Sequence, residues 1–123
     1  RAVLNVGHTI GHALELASDF QLYHGEAVGI GMVIETRMAE QIGLAEPGLS
    51  ETIAAALRQI GLPTLPPPGL DAQRILQAVG QDKKRADGKV RFALAKCIGG
   101  AQVGIEFEDW RREYERSLGP EWA

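Results

Sequence analysis

The chain has 123 residues, 45% of them hydrophobic and 24% charged, proportions that fit one globular domain with a core and exclude a disordered or fibrous segment. Its formal net charge of −3 excludes a general nucleic-acid binder, which needs a basic face to displace counterions from phosphates. The longest nearly uncharged apolar run, Ala27 to Ile34, falls far short of the ~20 residues that cross a bilayer, so no membrane span is expected.

From His8 to Ala17, Ile10, Ala13, Leu14 and Ala17 recur at helical spacing while His8, His12 and Glu15 fall on another face, which predicts an amphipathic helix with a polar, chemistry-bearing side. Asp19 to Tyr23 reads as a short connector that returns the chain to His24. A second helix is predicted over Glu26 to Ile42. Its first half is apolar all round and therefore buried, and its later half, with Glu35, Arg37, Glu40 and Gln41, is expected to reach solvent. Gly29 and Gly31 each cost roughly 1 kcal/mol against alanine in a helix, so a close backbone or ligand is expected beside them. Gly43 reads as a C-cap.

A third helix is predicted from Glu46–Pro47 to about Ile60, with an apolar stripe of Leu49, Ile53, Ala56, Leu57 and Ile60. The proline-rich stretch from Leu62 to Gly69 cannot be helix or central strand and reads as a stiff connector. Asp71 is a predicted N-cap for a fourth helix that breaks at Gly80, and Gln81 to Gly88 reads as a charged loop. Alternation predicts a strand over Val90–Ala95 and a second over Ala101–Phe107, joined at Gly99-Gly100. Trp110, Tyr114 and Leu118 share a face of a closing helix from Glu108 to Leu118. The expected fold is mainly α, a helical bundle forming a single domain over residues 1–123, with a small late β-hairpin.

Cys97 is the only cysteine, so no internal disulfide is available; this suits a reducing cytosol, and a buried structural thiol is the expectation for it. Met32 and Met38 read as core packing. The chain opens on Arg1 with no initiator methionine and no signal-peptide pattern, so an excised piece, or the loss of something upstream, is expected.

All three histidines lie within the first 24 residues. His8 and His12, one turn apart, could chelate a divalent cation, with His24 as a third imidazole suited to zinc. Surface histidines on one helix face are the plain alternative. Glu26, in the first turn of a helix, could orient His24, and Glu15 could support His12 or face water.

The segments Leu4-Asn5-Val6-Gly7-His8-Thr9-Ile10-Gly11-His12-Ala13-Leu14-Glu15, Tyr23-His24-Gly25-Glu26-Ala27-Val28 and Asp82-Lys83-Lys84 closely resemble the C-terminal half of the 3-dehydroquinate synthase family, within the sugar phosphate cyclases. The resemblance runs from Arg1 through the Val90-Arg91-Phe92 strand and fades in the tail. It implies that His8 and His24 bind Zn2+ or Co2+ with a glutamate from upstream sequence, and that His12 sits beside the substrate and handles protons as a catalytic residue. It further places Arg1 and Asn5 against substrate oxygens and Lys83 or Lys84 against a phosphate, with Glu26 and Glu15 as support for the ligands. A planar guanidinium and a mobile ammonium suit such an acidic sugar phosphate.

The implied reaction converts 3-deoxy-D-arabino-heptulosonate 7-phosphate to 3-dehydroquinate, with phosphate release, in the shikimate pathway leading to chorismate and aromatic amino acids. NAD would be bound by an N-terminal domain of the same enzyme, since no Gly-rich dinucleotide loop occurs here. The 123 residues alone are therefore not expected to be active. A homodimer and a cytoplasmic location are also implied. Other readings are a 2-deoxy-scyllo-inosose or 2-epi-5-epi-valiolone synthase, a metal-dependent alcohol or glycerol dehydrogenase domain, and a non-enzymatic helical zinc-binding interaction module.

Overall fold

The computed structural model describes residues 6–85, 90–97 and 99–118. Helix α1 (His8–Ala17) and helix α2 (His24–Gln41) run antiparallel, joined by the short connector at Ser18–Tyr23. Helices α3 (Leu49–Gln59) and α4 (Ala72–Arg85) follow, then strands β1 (Phe92–Cys97) and β2 (Gly100–Ile105), and helix α5 (Trp110–Leu118). The central element is α2, which packs against α1, α3, α5 and β1, while α4 lies against α1. Ile10, Leu14, Ile30, Ile34, Met38, Val79, Phe92 and Leu94 form the middle of one core. The mainly α bundle with a late hairpin is the expected fold, and no helix among the described residues is long and apolar enough to cross a membrane.

The antiparallel α1–α2 pair is set by glycines. A Cβ on Gly31 would collide with the Gly7 carbonyl oxygen and lie 2.7 Å from Gly11 N, and one on Gly11 would meet Ala27 O and Val28 Cα at 3.1 Å. The two backbones touch, which is the compensation expected for Gly31. Gly29 differs: a Cβ there would make ordinary 3.6 Å contact with Leu57.

Asp71 caps α4 as predicted, its Oδ1 accepting from Gln73 N–H at 2.9 Å. The helix does not break at Gly80 but continues to Arg85, so the predicted charged loop begins late. Glycine in a helix costs only about 1 kcal/mol, too little to end one that its neighbours continue. The third helix starts at Leu49, later than predicted, and its buried residues are Leu49, Ser50 and Ala54, while Ala56 of the predicted stripe is exposed. Ile60 lies beyond its end and is 71% exposed.

The hairpin is antiparallel, with register shifts between Phe92 and Leu94 and between Ala95 and Cys97. Strand β2 ends at Ile105, short of the predicted Phe107; Phe107 instead stacks edge-to-face on Phe92, with centroids 5.0 Å apart. Helix α5 docks through buried Tyr114, with Trp110 and Leu118 half-buried. Cys97 is half-buried and free.

Candidate metal centre

Helix α1 begins without a side-chain cap of its own. Gly7 occupies the N-cap position with φ +85° and has no side-chain oxygen to offer. The missing acceptor comes from α2: Glu35 Oε1 accepts from Gly7 N–H at 3.0 Å and Oε2 from Ile10 N–H at 2.8 Å. Sequence patterning puts Glu35 in solvent, but it is fully buried. An isolated polar group on an apolar helix face is tolerated where its hydrogen bonds are met, and the first-turn amides of α1 meet them here.

Burial pushes the Glu35 carboxyl up to about 8 from an ordinary 4.5, against the smaller opposing pull of the Ile10, Gly7 and Thr9 amides. The folded group thus keeps its proton at pH values where the unfolded one has lost it. Its contribution to stability is complete below the unfolded value of 4.5 and is lost as pH rises through about 8. Thermal unfolding of the parent and of Glu35→Gln at several pH values between 5 and 8 checks this. The melting temperature of the parent is expected to fall relative to the variant, and a parallel pair of curves would contradict it.

The connector that returns the chain to α2 is held at both ends. Ser18 Oγ donates to Glu15 O at 3.0 Å and accepts from Leu22 N–H at 3.3 Å. From α4, Arg74 forks onto both Asp19 carboxylate oxygens at 2.8 and 3.2 Å and also donates to Leu16 O at 3.1 Å. That guanidinium holds the Asp19 carboxyl below its usual range. Asp19 and Phe20 both adopt positive φ, 54° and 61°, a conformation that turns the chain sharply and delivers His24 beside α1.

His8 and His24 then face each other, their ring centroids 5.3 Å apart and their planes tilted by 58°. Two imidazoles ligating one tetrahedral ion at ~2.0–2.1 Å have centroids about 5 Å apart, so the pair has the separation a shared cation requires. The Nδ1 atoms are already engaged: that of His24 lies 2.9 Å from Glu15 Oε1, and that of His8 lies 3.4 Å from Val6 O. An acceptor at Nδ1 fixes the hydrogen there and leaves the Nε2 lone pair for a metal.

Three expectations need adjustment. The three-imidazole cluster suggested by spacing alone does not form: no group of three potential ligands occurs among the described residues. His12 remains half-buried one turn along α1. Glu15 supports His24 rather than His12. Glu26 does not orient His24; its Oε1 accepts from Tyr23 N–H at 2.9 Å and so caps α2.

Arg1 and Asn5 lie outside the described residues. Lys83 and Lys84 sit on the last turn of α4, the helix that packs against α1. Glu35 was missed by sequence reasoning, although one signal pointed to it: a helix that starts on glycine, with no Ser, Thr, Asp or Asn at the N-cap, must find its acceptor elsewhere.

The sequence pattern of the family described as "3-dehydroquinate synthase C-terminal" matches residues 1–85. The chain belongs to this family. The 3-dehydroquinate synthase of Nostoc sp. is 47% identical over 107 residues, covering 86% of the chain and 30% of the relative. That of Rhodospirillum rubrum is 46% identical over 106 residues, covering 80% and 28%. The 2-epi-5-epi-valiolone synthase of Streptomyces hygroscopicus, solved with NAD+ and Zn2+ bound, superposes with a TM-score of 0.80 at 28% identity, covering 94% of this chain and 31% of that one. A 2-deoxy-scyllo-inosose synthase complexed with carbaglucose-6-phosphate, NAD+ and Co2+ gives 0.67 at 28% identity, covering 80% and 28%. This member of the 3-dehydroquinate synthase C-terminal family therefore spans just under a third of the length of the relatives it matches.

Proposed function

We propose that the chain is the metal- and substrate-binding part of a 3-dehydroquinate synthase, a lyase of the shikimate pathway that converts 3-deoxy-D-arabino-heptulosonate 7-phosphate to 3-dehydroquinate and phosphate. The observation that carries the reading is the facing pair His8 and His24, each with Nδ1 already occupied and Nε2 left for a cation. When bound, Zn2+ or Co2+ supplies Lewis-acid polarisation of substrate oxygens, and NAD, held by an N-terminal domain, supplies transient oxidation and re-reduction of a ring hydroxyl.

This chain's own residues do the rest. Glu15 fixes the His24 tautomer through the 2.9 Å contact at Nδ1. His12, on the same helix as His8, takes and returns protons during phosphate elimination. Arg1 and Asn5 bind substrate oxygens, and Lys83 or Lys84 binds the phosphate end as a point charge. NAD binding and the third metal ligand, a glutamate, are assigned to an N-terminal part of the same enzyme. The complete enzyme is a cytoplasmic homodimer.

The test is an assay of the complete protein with the heptulosonate phosphate, before and after chelation. Stoichiometric phosphate release that stops with chelator and returns with Zn2+ or Co2+ is the expected result. The likeness to the valiolone and inosose synthases favours a second reading, cyclisation of a sugar phosphate without a carboxylate. Turnover of such a sugar phosphate but not of the heptulosonate would replace the first reading with the second.

A further inference from the structure

We propose that Glu35 is a positioning residue for the metal centre, its buried carboxyl on α2 fixing the first turn of α1 and thereby the separation of His8 from His24. The inference rests on the metal-binding reading of those two histidines and goes beyond it.

The two imidazoles are carried by different helices. His24 is the first residue of α2 and His8 the first residue of α1. Their 5.3 Å approach therefore depends on how the start of α1 is anchored to α2. Glu35 makes that link on both sides of His8, accepting from Gly7 N–H at 3.0 Å and from Ile10 N–H at 2.8 Å. Because Gly7 brings no side chain, loss of the Glu35 oxygens would leave two buried amides without their acceptor, and the turn carrying His8 would rearrange to satisfy them.

A carboxyl suits this place better than an amide. Ionised or protonated, it offers two oxygens that accept; glutamine offers one, and its NH2 would face an N–H. The contact at Gly11 and Gly31 is backbone against backbone, so no flexible side chain at those two positions can absorb a shift.

The experiment uses Co2+ as probe on the complete protein, reading its d–d absorption band and its affinity by competition, with thermal unfolding measured in parallel. The comparison variant is Glu113→Gln. Glu113 is likewise a buried carboxylate, 3% exposed, but it is on α5 and accepts from Gln41 Nε2 at 2.9 Å, at the opposite end of α2 from His24. Glu35→Gln is expected to weaken Co2+ binding about tenfold or more and to shift the band, as loss of an outer-shell support does. Glu113→Gln is expected to lower the melting temperature while leaving both cobalt readouts unchanged.

A Glu35→Gln protein with parental affinity and band, whatever its melting temperature, would overturn the proposal. If Glu35→Gln does not unfold cooperatively, Glu35→Asp carries the test, because it keeps two acceptor oxygens one methylene short of their donors. The same two readouts then decide. Parental cobalt binding in both His8→Ala and His24→Ala would overturn the metal reading itself, an outcome distinct from failure of the Glu35 variants.

Discussion

Replacing His24 with alanine in the complete protein should remove stoichiometric zinc and lower turnover by roughly a thousandfold or more. Metal polarisation of a reacting oxygen is worth several kcal/mol, and each 1.36 kcal/mol of barrier is about tenfold in rate. His8→Ala should behave alike, since the two rings lie 5.3 Å apart and have the geometry to share one ion. Glu15→Gln should be milder, weakening metal binding about tenfold, because it perturbs the group that orients His24 and leaves the imidazole itself in place. Metal analysis and steady-state kinetics on the three variants check this ranking. Full zinc content in both histidine variants would sink it.

The second large effect is expected at Gly31. An alanine Cβ there would collide with the Gly7 carbonyl oxygen, lie 2.7 Å from Gly11 N and 3.1 Å from Gly11 Cα. All of these are backbone atoms of the neighbouring helix, so the helices must move apart; overpacking of this kind costs about 3 kcal/mol. The separation would also stretch the Glu35 bonds and carry His8 away from His24. Gly29→Ala is the contrast: its Cβ would touch only Leu57 side-chain atoms at 3.6 and 3.8 Å. There the gain in helix propensity, about 1 kcal/mol, should show as equal or greater stability. Chemical denaturation of the two variants settles the point, and equal stabilities would refute the backbone-contact account.

Much of this architecture could be read from residue order. The bounds of α1 follow from two interleaved stripes over His8–Ala17, and the closing helix from Trp110, Tyr114 and Leu118. Local patterning fails where a residue's partner is distant in sequence. Glu35 has the look of a solvent-facing charge because periodicity weighs only its neighbours, and its donors lie 25 and 28 residues earlier. Glu15 is three residues after His12, which made that pairing natural, yet the connector places His24 against it. At Gly80 the local cost of one glycine, about 1 kcal/mol, is outweighed by neighbours on either side that continue the helix. The resemblance in the GHTIGH and HGE segments singles out two histidines whose rings lie 5.3 Å apart in the structure, but nothing in those segments shows how the pair is held.

The borrowed cap also bears on folding order. Helix α1 has 10 residues, below the ~12–15 at which an isolated helix becomes even marginally stable in water, and its initiating acceptor arrives only when α2 is in place. Its first turn therefore nucleates through a long-range contact rather than locally. Closing a chain loop of this span has an entropic cost before any helical bond rewards it, so α1 belongs to a cooperative unit with α2. Fraying of that unit would release His8 as the helix opens, and a cation bridging the two helices would slow amide exchange at Gly7 and Ile10. On the proposed reading of the histidine pair, metal occupancy and local folding would be one equilibrium seen from two ends.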